Sequence, residues 1–192
     1  MDQLTIENAV CILKNDEQID AAISAGIITH AYVLSHCDDG HIVRNRSNLG
    51  INCQRTYVIP KNRIIILEES NSQKEAKQKM DNRTYYDECI ESPFLKEKLD
   101  NINEIGLSLC KPLINGHPYV LDIDLDYFCT KKSVNPQDVL EFHKLIRGAC
   151  AITIAREPKF VLLCRREAES IDSPYLEGII KKHICNAQKT SA

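Results

Sequence analysis

The stretch Tyr119-Val-Leu-Asp-Ile-Asp-Leu-Asp-Tyr-Phe128 restricts the possible folds of this chain most, because it alternates apolar and acidic residues without a break. Side chains two residues apart in a β-strand point to the same face. The alternation therefore predicts a strand over residues 119–126, with Asp122, Asp124 and Asp126 on one face. The opposite, apolar face has to be buried against other elements of the fold.

Short runs rich in Ile, Val and Leu alternate along the chain with segments that begin and end like helices. Strands are predicted at residues 27–34, 56–59, 63–67, 119–126 and 149–155. Helices are predicted after a capping box at 15–18, after Ser92-Pro93, at 135–146 and at 175–184. This order predicts an α/β fold with a mostly parallel sheet covered on both faces. Because no Pro/Gly/Ser-rich linker divides the 192 residues, a single domain over 1–192 is expected.

Composition excludes several classes of function. The nine cysteines include no Cys-x-x-Cys pair, which argues against a zinc ribbon or a redox motif. With 24 basic and 27 acidic residues the net charge is -3, so no nucleic acid partner is expected. The apolar runs are too short to span a bilayer and the N-terminus does not resemble a signal peptide. We therefore expect a cytoplasmic protein without a membrane partner.

The three aspartates of the predicted strand indicate a metal site. Neighbouring carboxylates on one strand face lie about 6–7 Å apart, and each pair repels by about 2–3 kcal/mol at an effective dielectric near 20. A divalent cation offsets this repulsion, since hard cations prefer carboxylate oxygens. Ligands of open α/β sheets also gather beyond the carboxyl ends of the strands. The alternative is an exposed strand face whose charges are hydrated and screened.

The same stretch closely resembles the hallmark strand of an uncharacterised arginase-like family that includes bacterial peptide arginases. Two shorter similarities are Thr5-Ile-Glu-Asn8 with Ala25-Gly-Ile-Ile-Thr-His30, and Ala151-Ile-Thr-Ile-Ala-Arg156. The resemblance implies a three-layer α/β/α fold with a binuclear Mn²⁺ centre. It also implies hydrolysis of the guanidinium group of an arginine-containing peptide, or of a small guanidinium substrate, to urea and ornithine. Asp122 with Asp124 fits the arginase ligand spacing, and Asp124 with Asp126 fits the deacetylase-like spacing.

Arginase-like centres also use an Asp-x-His-x-Asp cluster on an earlier strand, and this sequence lacks one. The chain is therefore interpreted as a shortened member whose first metal-motif strand is absent. The nearest candidate ligands follow a predicted strand, in a stretch whose Asp-Asp-Gly favours a polar turn over a ligand cluster: His36, Asp38, Asp39 and His41. Where the strand at 149–155 ends, Glu157 is the candidate catalytic group that binds a guanidinium, and Arg156 the candidate group that binds a carboxylate. A surface ion pair is the alternative for these two residues.

Three functions remain open from the sequence. The first is a manganese-dependent hydrolase of the arginase-like superfamily. The second is a non-catalytic arginase-like protein that acts as a binding partner or scaffold, which the missing cluster favours. The third is a phosphotransferase of the haloacid-dehalogenase type, whose nucleophile strand also ends in Asp-x-Asp, although Leu125 and Tyr127 depart from that motif. With one ligand cluster, a single weakly held ion and slow or absent urea release are expected.

Overall fold

The computed structural model describes residues 18–35, 56–59, 61, 86–108, 110–111, 113–114 and 116–189. The chain divides into two compact units, Met1–Ile64 and Ile65–Ala192, and each contains one pair of parallel strands. Helices and parallel strands in the same chain confirm the mixed α/β character that was predicted. The single domain over residues 1–192 stays a prediction. Within the described ranges, no helix is both long and apolar enough to cross a membrane.

The first unit contains helix α1, Gln18–Ser24, and a parallel pair of strands, β1, Ala31–Leu34, and β2, Thr56–Ile59. Gly26 ends the helix as predicted, with a positive φ of 71° that glycine adopts without steric cost. The strand predicted at 27–34 begins four residues later than expected, because Ile27 and Ile28 still bond back to the carbonyl of Ala22. The strand at 56–59 has the predicted bounds. The capping residues 15–17 and the strand at 63–67 lie outside the described residues.

The second unit carries the aspartate motif. Its elements in chain order are α2, Ser92–Ser108; β3, Val120–Asp124; a 3-10 helix, Leu125–Tyr127; α3, Lys131–Val134; α4, Leu140–Gly148; β4, Ala151–Ala155; α5, Pro158–Cys164; and α6, Ser173–Lys189. Strands β3 and β4 pair in parallel, with Asp122 opposite Thr153 and Asp124 opposite Ala155. Because the strands are parallel, their carboxyl ends lie at the same edge of the sheet.

The core of this unit lies between the apolar face of the strands and the helices. Ile123 is buried on one face of β3, whereas Asp122 and Asp124 are exposed on the other. Helix α4 packs against both α2 and α6. Between α4 and α6, His143 Nε2 lies 3.1 Å from His183 Nδ1, and His183 Nε2 donates to the Val134 carbonyl oxygen at 3.0 Å. The buried His183 thus joins three helices.

Two predicted elements differ from the structure. The strand predicted at 119–126 ends at Asp124, because the chain turns into the 3-10 helix and buries Leu125 completely. Asp126 therefore does not share the strand face with the other two aspartates, and that part of the prediction was wrong. The helix predicted at 135–146 begins at Leu140, whose N–H donates to Asp138 Oδ1 at 3.1 Å. Asn135 instead ends the short helix α3.

Candidate metal site at the end of strand β3

The three aspartates occupy two different elements. Asp122 and Asp124 lie on the exposed face of β3, and Asp126 lies in the following 3-10 helix. Leu125, between the last two, has no exposed surface. The core therefore anchors the backbone between Asp124 and Asp126 at the carboxyl end of the strand.

Asp124 and Asp126 interact directly. Loss of hydration at its carboxyl group, followed by the neighbouring charge of Asp126, raises the pKa of Asp124 to about 7. Asp124 is exposed as a whole residue, so this desolvation comes from protein atoms around its carboxyl group rather than from enclosure of the side chain. Burial also raises the pKa of Asp126, while the side-chain hydrogen bond to Asp124 lowers it. The side-chain hydrogen bond thus favours a protonated Asp124 beside an ionised Asp126.

The end of β4 brings a third carboxylate to this edge of the sheet. Glu157 precedes helix α5 in a left-handed conformation, with φ 31° and ψ 63°. Its charge contributes to the raised pKa of Asp126, so the two groups lie within electrostatic reach. Helix α5 packs against the 3-10 helix, and burial, Asp126 and Asp124 raise the pKa of Cys164. Glu157 is thus close enough to Asp126 to affect its pKa, and its role in binding a guanidinium stays a prediction.

Two other predicted site residues have structural partners. Thr153 Oγ1 donates to Asp122 Oδ1 at 2.5 Å across the two strands. Arg156 Nη2 lies 2.8 Å from Glu177 Oε1 on α6, so Arg156 forms an ion pair with that residue. Asp122 is therefore tied to the neighbouring strand and Arg156 to a helix, whereas Asp124, Asp126 and Glu157 come together. Their roles in binding or catalysis stay predictions.

A buried polar network supports the loop that follows the aspartates, and sequence reasoning did not identify it. Thr130 Oγ1 donates to Asp87 Oδ1 at 2.8 Å and accepts from the Ser133 N–H at 3.0 Å. Ser133 Oγ in turn accepts from the Thr130 N–H at 3.2 Å, which completes a capping box at the start of α3. The Thr-x-x-Ser spacing is a signal for the cap, but only the structure brings in Asp87.

The remaining candidate ligands, His36, Asp38, Asp39 and His41, lie outside the described residues. Across the ranges that the structure describes, no three His, Cys, Asp or Glu side chains form a group that could hold a metal ion. A cavity of about 640 Å³ opens at the amino ends of β3 and β4, beside Tyr119 and Cys150. It lies at the opposite end of the strands from Asp124 and is not part of the candidate site.

No protein-family model, curated protein or solved structure matches this chain. The grounds for a function are therefore the residues at the end of β3 and the resemblance of their sequence.

Proposed function

We propose that this chain is an arginase-like protein with a three-layer α/β/α fold that binds a divalent cation through Asp124 and Asp126, and that its reaction is the hydrolysis of a guanidinium group. The observation that supports a cation here is the close approach of these two carboxyl groups, which hydrogen-bond to each other and would repel if both were ionised. A cation offsets this repulsion. Mn²⁺ is the ion that the resemblance favours.

The donor set fits one hard cation. Carboxylate oxygens are preferred ligands of Mn²⁺ and Mg²⁺, and Leu125 anchors the backbone between the two aspartates. The described residues do not supply the ligands of the family's binuclear centre, because no three His, Cys, Asp or Glu side chains among them form a group that could hold a metal ion. When bound, one such cation acts as a Lewis acid and makes water that it binds more acidic.

The residues around the pair have separate tasks in this proposal. Glu157 accepts hydrogen bonds from the cationic guanidinium of the substrate, since a carboxylate and a guanidinium match in charge and geometry. Its neighbour Asp126 holds the cation on the same edge of the sheet. Arg156 orients no substrate unless its ion pair with Glu177 opens, so its predicted role in binding a carboxylate has less support.

A non-catalytic role is the second candidate, and one specific contact favours it. The ion pair between Arg156 and Glu177 occupies the group that was predicted to bind the carboxylate of the substrate. Such a protein still binds a cation or a guanidinium ligand at Asp124 and Asp126. It releases no urea.

Metal binding and urea release distinguish these candidates. We expect Mn²⁺ titration by calorimetry to give one binding event, which Asp124→Asn weakens more than Asp122→Asn does. Asp100→Asn is the matched control, because Asp100 is an exposed aspartate on helix α2. Equal weakening by all three variants, or no binding by the native chain, would contradict the cation site.

The reaction is tested with an arginine-containing peptide in the presence of Mn²⁺, with urea as the readout. The hydrolase with one cation is supported if the native chain releases urea slowly and if Asp124→Asn and Glu157→Gln each abolish that release. Metal binding without urea release supports the non-catalytic protein.

A further inference from the structure

The cavity at the amino ends of β3 and β4 lies away from the candidate metal site, and nothing in the proposed function uses it. Its volume is about 640 Å³, and residues of helices α2 and α4 and of the turn before Tyr119 line it. We call it the amino-end cavity. Asp124 lies at the opposite end of β3, about 13 Å from Val120 along the strand. A cavity of this size is typical of sites that hold small molecules.

Two lysines and two acidic residues line the amino-end cavity, with His117 beside them in the turn. On α4, Lys144 Nζ lies 2.7 Å from Glu141 Oε1, so these two charges neutralise each other. On α2, Lys96 and Asp100 are four residues apart and line the cavity from one helix face. Among the described residues neither of these two takes part in an ion pair, and lysine before the acid is the less favourable order for pairing along a helix. One cation and one anion, with Cβ atoms about 5–6 Å apart, are therefore available to a ligand.

Asn103 adds a hydrogen-bond acceptor to the same helix face. It follows Asp100 by almost one turn and also lines the cavity. Its Oδ1 is buried and has no hydrogen-bond partner in the part of the chain that the structure describes. A buried acceptor without a donor costs about 1–3 kcal/mol. Rotation about the last bond of the side chain, which is a soft torsion, turns this oxygen toward the cavity, where an N–H group of a ligand satisfies it.

We propose that the amino-end cavity binds a free α-amino acid with an apolar side chain. Its carboxylate pairs with Lys96, and its ammonium group donates to Asp100 and to Asn103 Oδ1. Its side chain contacts Leu99 and Leu145, which line the cavity and are half-buried. A zwitterion matches the balanced charges of the lining, whereas a ligand with a single charge would leave either Lys96 or Asp100 without a partner. Water fills the rest of the cavity.

Titration of the isotope-labelled full chain with leucine, followed by NMR in the presence of chelator, tests the proposal. We expect saturable shifts of the backbone amide signals of α2, of the turn before Tyr119 and of α4. N-acetyl-leucine lacks the ammonium charge and leucinamide lacks the carboxylate, so each should bind about tenfold more weakly than leucine. Glycine, which has no side chain to contact Leu99 and Leu145, should also bind about tenfold more weakly.

Variants of the protein test the charged half of the site. Lys96→Met and Asp100→Asn should each weaken leucine binding about tenfold, because each removes one of the two charges that the zwitterion meets. Lys182→Gln and Glu104→Gln are the matched controls and should leave the affinity unchanged, since these exposed residues of α6 and α2 do not line the cavity. The amide spectrum of each variant shows whether the fold is retained.

Several results would overturn the proposal. One is the absence of saturable shifts with leucine, and another is a set of shifts that avoids the residues lining the cavity. Equal affinity for leucine and its two derivatives would mean that the charges of the lining do not select the ligand. Tighter binding of either derivative would assign the cavity to a ligand with a single charge. Because no metal is present in the titration, these results do not depend on whether Asp124 and Asp126 bind a cation.

Discussion

Replacing Asp124 by asparagine should stabilise the protein when metal is removed, and the effect should depend on pH. Raising the pKa of Asp124 from 3.8 to about 7 corresponds to about 4 kcal/mol at 1.36 kcal/mol per unit. Because the residue is exposed and solvent screens part of its charge, we expect about 1–2 kcal/mol. Asparagine resembles the protonated aspartate, since its amide can donate to Asp126 while its oxygen accepts from the backbone.

The direction of this pH dependence follows from the difference in proton binding between the folded and the unfolded protein. Between about pH 4 and 7 the folded protein retains a proton on Asp124 that the unfolded chain loses, so stability falls as pH rises through this range. The gain from Asp124→Asn is therefore largest at pH 8 and falls to roughly a third of that value at pH 5.

Urea unfolding of chelator-treated protein at these two pH values measures the effect. Asp100→Asn, an exposed helical substitution, controls for the general loss of one negative charge. A lower stability of Asp124→Asn at pH 8 would refute the reasoning, because it would mean that the ionised carboxylate makes hydrogen bonds that the fold requires.

Three further predictions concern the scaffold. Thr130→Val should lower the free energy of unfolding by about 1–3 kcal/mol, because it leaves the buried Asp87 and the Ser133 N–H without the hydroxyl. Ser92→Ala should cost less, because its partner Asp138 is exposed and can bond to water instead, and equal losses in urea unfolding would contradict this. Burial, followed by the neighbouring His143, lowers the pKa of His183 despite its bond to Val134, so stability should fall as pH drops below about 6.5. The Asp124→Asn background removes the opposite pH dependence that Asp124 contributes. In this background, His183→Gln should reduce the loss of stability at low pH, and an unchanged loss would exclude His183 as its source. Gly148→Ala should lower Tm although alanine has the better helix propensity, because the new Cβ would lie 2.7 Å from the Tyr119 hydroxyl that donates to the Leu145 carbonyl oxygen. The loss of Tm should be smaller in a Tyr119→Phe background, which lacks that hydroxyl.

The alternation of the aspartate motif was sufficient to predict β3 and its orientation. No helix or turn signal competes with the strand pattern at Leu121 and Ile123. The parallel partner strand at 151–155 follows from a similar apolar run. The pattern could not predict that the strand ends at Asp124, because a continued alternation of residues looks the same whether Leu125 points to a sheet face or turns into the core. Burial of Leu125, which depends on the packing of α5 against the 3-10 helix, decides that question.

The sequence also could not show which side chains of the candidate site pair with each other. Arg156 and Glu157 are adjacent, and the sequence allowed an ion pair between surface residues. The structure pairs Arg156 with Glu177, which is far along the chain, while the left-handed backbone at Glu157 directs the chain into α5. The raised pKa of Asp124 likewise depends on protein atoms that a single strand cannot reveal. Spacing therefore indicated candidate residues near the carboxyl ends of the strands, but not which of them pair with other residues of the fold.

The complete burial of Leu125 makes the distance between Asp124 and Asp126 a property of the core. A cavity or an overpacked group near Leu125 would shift both neighbouring carboxyl groups without changing either acidic residue. In the proposed cation site, a substitution such as Leu125→Val would therefore change the affinity for the cation although its side chain does not contact it. Selection for a different ion size at that site could then act on apolar residues, with the acidic residues of the motif left as they are.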